Sequence, residues 1–136
     1  MKKFMRTALL ATVVLLLSAC VSEEEKNYEE SYARGTLALT EGDYDTAVTE
    51  LTGAMDSRDE DVLVWIQRGD AYMALEQYED AVSDYENALV RDAAQFDVYD
   101  KLAECYRLLG DPEVANETLA RKEEAAKEAA RGENAD

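Results

Sequence analysis

A step of 34 residues along this chain leads from Gly35 to Gly69 to Ala103, and the same step carries Ala47 to Ala81 to Ala115. An internal period of this length is the signature of stacked supersecondary units, each burying its apolar face against the next, and not of a single-core enzyme fold. Within each copy the second segment is amphipathic. Tyr44, Ala47, Val48, Leu51, Ala54 and Met55 fall at i, i+3, i+4, i+7, as do Tyr78, Ala81, Val82, Tyr85, Ala88 and Leu89, which is the spacing of one helix face. The small residues at Gly35/Gly69/Ala103 and Ala47/Ala81/Ala115 let paired helices approach closely, and the larger residues between them fill the layer. Strand signals are absent. The pattern therefore predicts an all-α chain of short helix hairpins whose surface holds something and performs no chemistry of its own.

The register extends to the large residues. The second copy reads Trp65, Arg68, Gly69, Tyr72, Ala81, Tyr85, Ala88; the first, Ser31, Arg34, Gly35, Ala38, Ala47, Leu51, Ala54; the third, Tyr99, Leu102, Ala103, Tyr106, Ala115, Leu119, Lys122. This set resembles the tetratricopeptide repeat, W-x2-L-G-x2-Y followed by A-x3-F and P. Tyr85 stands in for the Phe, Arg68 replaces the Leu and Ala93 the Pro. The resemblance covers residues 28–129 as three repeats, 28–61, 62–95 and 96–129. It implies a right-handed solenoid of three antiparallel helix hairpins with a C-terminal helical cap. An ordinary bundle of three hairpins with coincidental spacing is the competing reading, and the agreement of many positions in three copies weighs against it.

Helix boundaries are marked by composition. Gly110-Asp111-Pro112-Glu113 supplies a stop, an N-cap, a first-turn proline and an N-terminal acid. Gly42-Asp43 repeats this more weakly, and Asn27 is read as the cap of the opening helix, with Glu30 at N3. In the third copy the inter-repeat face turns polar at Lys122 and Glu123. A fourth repeat would have to bury both, at high cost without partners. The array is therefore expected to end there, with Arg121–Arg131 as a solvating helical cap and 130–136 as a polar tail.

The first twenty residues are of a different kind. Lys2, Lys3 and Arg6 form a positive segment ahead of Ala8–Leu17, which is apolar apart from Thr12. Such a stretch is short for a membrane span, which needs about 20 residues, and has the length and flanks of a secretory signal. Leu17-Ser18-Ala19-Cys20 resembles a bacterial lipobox. That resemblance implies a signal peptide over 1–19, cleavage before Cys20, a diacylglyceryl group on its sulfur and further acylation of the new amino terminus. Leu17 is too large for the −3 position of an ordinary signal peptidase site. More than one acyl chain anchors stably where one is marginal, each buried methylene contributing about 0.8 kcal/mol. Val21 after the cysteine, in place of Asp, favours the outer membrane facing the periplasm in a Gram-negative cell; a Gram-positive host would place the chain on the outer face of its one membrane. Residues 20–27 are read as the lipidated cysteine and a short acidic tether. The seven residues Val21–Asn27 reach at most about 25 Å when extended.

Removal of the signal leaves 11 basic residues against 31 acids, a net charge of −20 compared with −17 for the whole chain. Such a charge repels phosphates and excludes nucleic acid as a partner. It keeps a domain soluble and monomeric, and it disfavours lying flat on anionic lipid, so the anchor must hold the protein at the membrane. A salt-adapted source would also account for it. With Cys20 consumed by lipid, Cys105 is left alone, equivalent to Leu37 and Ala71, and is expected in the core. The chain has no histidine, hence lacks the commonest general base and metal ligand at neutral pH. No nucleophile elbow, P-loop or dinucleotide loop is present. The acid runs Glu23–Glu25 and Asp59–Asp61 lack calcium-loop spacing and read as solvated charge. No cofactor, no metal and no enzyme activity are implied.

In tetratricopeptide proteins the first helix of each repeat lines a concave groove through positions 2, 5, 9 and 12. The resemblance places Glu29, Tyr32, Thr36 and Leu39 there from the first repeat, and Leu63, Ile66, Asp70 and Met73 from the second. Asp97, Asp100, Glu104 and Arg107 follow from the third, with Lys101 nearby. Some family members grip a terminal carboxylate with Lys, Arg and Asn in this groove; acids stand at several of those positions here, so that clamp does not carry over. An apolar strip of Tyr32, Leu63, Ile66 and Met73 bordered by carboxylates is left. It suits an amphipathic helix or extended peptide, with acids that speed association of a basic partner. Ile66 fits inter-repeat packing equally well, while Tyr32, Asp70 and Asp100 are expected to face the groove. The implied function is that of a lipid-anchored interaction adaptor of the cell envelope. Its partners would be envelope proteins of a pilus, secretion, outer-membrane or cell-wall complex. The alternative is a structural, self-associating lipoprotein without a dedicated peptide ligand.

Overall fold

The computed structural model describes residues 22–58 and 61–133; Cys20 and the apolar leader lie outside them. Among the described residues there are six helices and no strand: α1 (Glu23–Glu41), α2 (Tyr44–Ser57), α3 (Val62–Ala74), α4 (Tyr78–Arg91), α5 (Phe96–Leu108) and α6 (Pro112–Glu133). Each packs chiefly on its neighbours in sequence, α1 on α2, α3 on α4 and α5 on α6, and successive hairpins join through α2–α3 and α4–α5. This is the all-α stack of three antiparallel hairpins that the period predicts. No described helix is long and apolar enough to cross a membrane.

The small residues of the repeat do the work expected of them. A Cβ on Gly35 would stand 2.7 Å from Leu51, and one on Gly69 would stand 2.7 Å from the Tyr85 ring, so each glycine is the point where the two helices of a hairpin meet. Gly42 ends α1 in the left-handed region at φ 80°, where glycine carries no Cβ penalty. Asp43 then caps α2 by accepting from the Thr46 N–H.

The core forms two connected clusters. Tyr28, Ala47, Leu51, Ala54, Val64 and Ala71 join the first two hairpins, while Ala81, Tyr85, Leu89, Val98, Leu102 and Cys105 join the second and third. Cys105 is fully buried, like Ala71, but Leu37 at the same repeat position is 57% exposed. That position packs against the preceding repeat, and Leu37 has none before it.

Three expectations change. Helix α1 starts at Glu23 and is capped by Ser22, whose Oγ accepts from the Glu25 N–H at 3.1 Å; Asn27 lies inside the helix. Ser22 is extended and is followed by three acids in the first turn, where the helix dipole favours negative charge. Glu23–Asn27 therefore rise by about 1.5 Å per residue instead of forming an extended tether. Asp61 is no idle member of an acid run: it caps α3 through the Leu63 N–H and accepts the Tyr28 hydroxyl proton, while Asp59 and Glu60 lie outside the described residues. Finally, Arg121–Arg131 is the exposed helical cap expected, formed as the continuation of α6, but the helix runs on into the polar tail as far as Glu133.

Candidate functional site

The inner helices α1, α3 and α5 are tied side by side by polar contacts that follow the 34-residue step. Thr36 Oγ1 donates to Gln67 Oε1 at 2.9 Å, and Gln67 Nε2 donates to the Tyr32 hydroxyl at 3.4 Å. One repeat later, Lys101 Nζ donates to both oxygens of Asp70 at 2.7 and 2.8 Å, and the Tyr85 hydroxyl donates to Asp70 Oδ1 at 2.7 Å. Burial and the Asp70 carboxylate together push the Tyr85 phenol far above its usual pKa. It stays a proton donor.

This ladder changes the expected site. Asp70 is half-buried and neutralised by Lys101, because the two positions face each other across adjacent repeats; it is no free rim charge. Asp100 is exposed as expected, but Lys122 Nζ holds it at 2.6 Å. Glu104 is exposed and paired with Arg107 at 3.2 Å. Glu29 and Asp97 are exposed. The apolar strip is narrower as well. Met73 and Ile66 are partly buried against the second core cluster, and Met73 Sδ accepts from the Cys105 thiol at 3.1 Å. Tyr32 and Leu39 pack on the first cluster, with the Tyr32 ring stacked on Tyr28 at 5.7 Å between centroids.

Three leucines of the inner helices are exposed: Leu37, at 57%, lies on the side where no preceding repeat packs, while Leu63 at 52% and Leu108 at 48% lie on the second and third repeats. Leu108 was missed by the sequence reading, which took positions 2, 5, 9 and 12; it lies at position 13, one residue past Arg107. The site is thus two projecting leucines, with Glu29 and Asp97 as free acids, over a floor of paired polar groups. The described thiol, Cys105, is buried and its pKa is pushed up to about 11 by burial, which removes the thiolate that reactivity needs. Among the described residues no group of histidines, cysteines or acids could hold a metal ion.

A tetratricopeptide repeat family model matches residues 32–98 and 66–133, three quarters of the chain in all. The chain is similar to the small glutamine-rich tetratricopeptide repeat-containing protein 2 of Saccharomyces cerevisiae, 28% identical over 96 residues. That match takes in 71% of this chain but spans 28% of the relative's length. Among solved structures, the TPR2B domain of yeast Sti1 in complex with pHsp70 superposes with a TM-score of 0.69 at 23% identity, covering 79% of this chain and 86% of that one. MamA (41-end) from Desulfovibrio magneticus RS-1 gives 0.69 at 20% identity, covering 93% and 68%. At these identities the two structures share the fold.

Proposed function

Because the chain belongs to the tetratricopeptide repeat family, we propose that it is a protein-interaction module that seats a segment of a partner protein along α1, α3 and α5. The observation that carries this reading is the pair of half-exposed leucines, Leu63 and Leu108, on helices whose other groove-facing groups are mostly paired or packed. Exposed large apolar side chains at a concave repeat surface are anchors for an amphipathic helix or extended peptide. The free acids Glu29 and Asp97 favour a partner with cationic flanks. The Sti1 domain, solved with pHsp70, supports the mode of binding through its fold but does not name the ligand.

The lipobox-like Leu17-Ser18-Ala19-Cys20 supports a lipid on Cys20 and, with it, a seat at a bacterial cell envelope. With α1 starting at Glu23, two residues separate the anchor from the fold, a reach of about 7 Å. The groove would then meet membrane-proximal segments of its partners.

Photo-cross-linking in cells tests the groove. A photoreactive residue at Leu63 or Leu108 is expected to capture a discrete partner, one at Asp45 on the outer helix α2 is not, and Leu63→Asp with Leu108→Asp abolishes capture. Equal capture from Asp45 overturns the reading. The anchor is checked separately: Cys20→Ser should move the protein from membrane to soluble fractions, and unchanged fractionation rejects lipidation.

A further inference from the structure

The turns that join the two helices of each repeat share a backbone and differ in one side chain. A step of 34 residues relates Gly42, Glu76 and Gly110, and all three lie in the left-handed region, at φ 80°, 59° and 89°. Each turn closes on the same bond, from the N–H of Asp43, Gln77 and Asp111 to the carbonyl of Ala38, Tyr72 and Tyr106, at 2.9, 2.9 and 2.8 Å. Such a turn is easiest for a residue without a Cβ, and two repeats supply glycine. The second holds a glutamate, the one non-glycine residue with a positive φ among the described residues. Nothing inside the fold offsets that strain. Glu76 is exposed, and its carboxylate bonds to no group among the described residues.

Residues with a Cβ that are held in this region concentrate at binding and switch sites, and the surroundings of Glu76 suit the first of these. Helices α3 and α5 lie side by side, bridged by Lys101 and Asp70, and end at the equivalent residues Ala74 and Leu108. Glu76 stands two residues past the end of α3, at the end of the groove where Leu108 is half-exposed. Arg107, the cation next to that leucine, is paired with Glu104 at 3.2 Å and leaves Glu76 unneutralised. We propose that Glu76 is a specificity-determining residue of the groove, which receives a lysine or arginine adjoining the partner's apolar residue on Leu108. The inference rests on the groove reading above and adds the chemistry read at one end. An unpaired acid beside an exposed leucine is complementary to an apolar side chain with a cation next to it. Glycine would suit the turn better, but it cannot select by charge.

The test selects a random peptide library on the full chain in non-ionic detergent, with the Leu63→Asp, Leu108→Asp protein as counter-selection. Peptides that need both leucines are expected to share a lysine or arginine adjoining an apolar residue. Glu76→Lys, which keeps a Cβ in the turn, is expected to replace that cation with Asp or Glu in the selected set. Glu76→Gly should raise the urea midpoint yet weaken the original peptides about threefold, the size of one exposed ion pair; Glu76→Asp should keep their affinity. A Glu76→Gly protein that is more stable and binds equally well overturns the proposal, as does a Glu76→Lys protein that selects the same cationic peptides. An unraised midpoint removes the strain on which it stands. A library that yields no leucine-dependent peptide rejects the groove reading itself, whereas leucine-dependent peptides indifferent to residue 76 reject this inference alone.

Discussion

Arg68 stands where the repeat pattern has a leucine, and the reason lies 16 residues ahead. Its Nε and Nη2 each donate to Asp84 at 2.8 Å, Nη1 donates to Thr52 Oγ1 at 3.0 Å, and the Trp65 and Tyr72 rings flank it. Asp84 is 2% exposed; burial pushes its carboxyl pKa up against the opposing pull of Arg68. The first repeat makes the same pair with Arg34 and Glu50 at 3.1 Å, while the third replaces it with Leu102 and Thr118. Removing one partner strands a buried charge, so Arg68→Ala should cost about 3–5 kcal/mol in urea unfolding. Arg68→Leu with Asp84→Thr, the pair the third repeat uses, should recover most of that. Gly69→Ala gains helix propensity but drives a methyl into Tyr85, and a net loss of about 1–2 kcal/mol is expected in the same assay. Cys105 gives a pH dependence. Its native pKa is pushed up to about 11 from an ordinary 9.0, so between those values the unfolded chain has released a proton that the native state keeps. Cys105 therefore makes stability fall as pH rises from 9 towards 11, by on the order of 2 kcal/mol, and Cys105→Ser should remove the part of the fall that begins near pH 9 in alkaline urea titrations, leaving the fall above pH 10 that the raised Tyr28 and Tyr85 phenols cause.

At the scale of elements, helix starts were less legible than helix faces. The i, i+3, i+4 spacing located every buried apolar position of α2 and α4 because burial follows the helix period, but it passed over the buried Asp84, which only its pairing with Arg68 explains. The start of α1 was misplaced because Ser22 and Asn27 are both good caps, and four residues of helix-compatible sequence lie between them. Ser22→Ala should cost about 1 kcal/mol locally and speed amide exchange at Glu25 and Lys26, leaving Leu51 unchanged; equal exchange in both proteins would show that the cap does not hold the first turn. The Asp61–Tyr28 contact was illegible for a different reason. It joins residues 33 apart, and no local pattern marks which member of an acid run ends beside a helix N-terminus.

For the whole molecule, charge opposes compactness. A net charge of −17 on one small domain is self-repulsive, and salt screens that repulsion over about 10 Å at 0.1 M. Raising sodium chloride from 20 to 500 mM is therefore expected to raise the melting temperature by several degrees; a fall would mean that the pairs Lys101–Asp70, Lys122–Asp100 and Arg121–Glu86 outweigh the repulsion. The 34-residue step by itself determined the all-α class, the three hairpins, the glycine contacts and the burial of Cys105, because a stacked repeat gives equivalent residues equivalent surroundings. Equivalence fails at the ends of the stack and between charged partners, and there the tertiary structure decided. Leu37 is exposed for want of a preceding repeat, and the guanidinium over the aromatic ring comes from Arg91 in the second repeat but from the non-equivalent Arg121 in the third. Asp70 is neutralised while Asp97 is exposed, since a carboxylate is paired or free according to which cation the neighbouring helix brings within 3 Å.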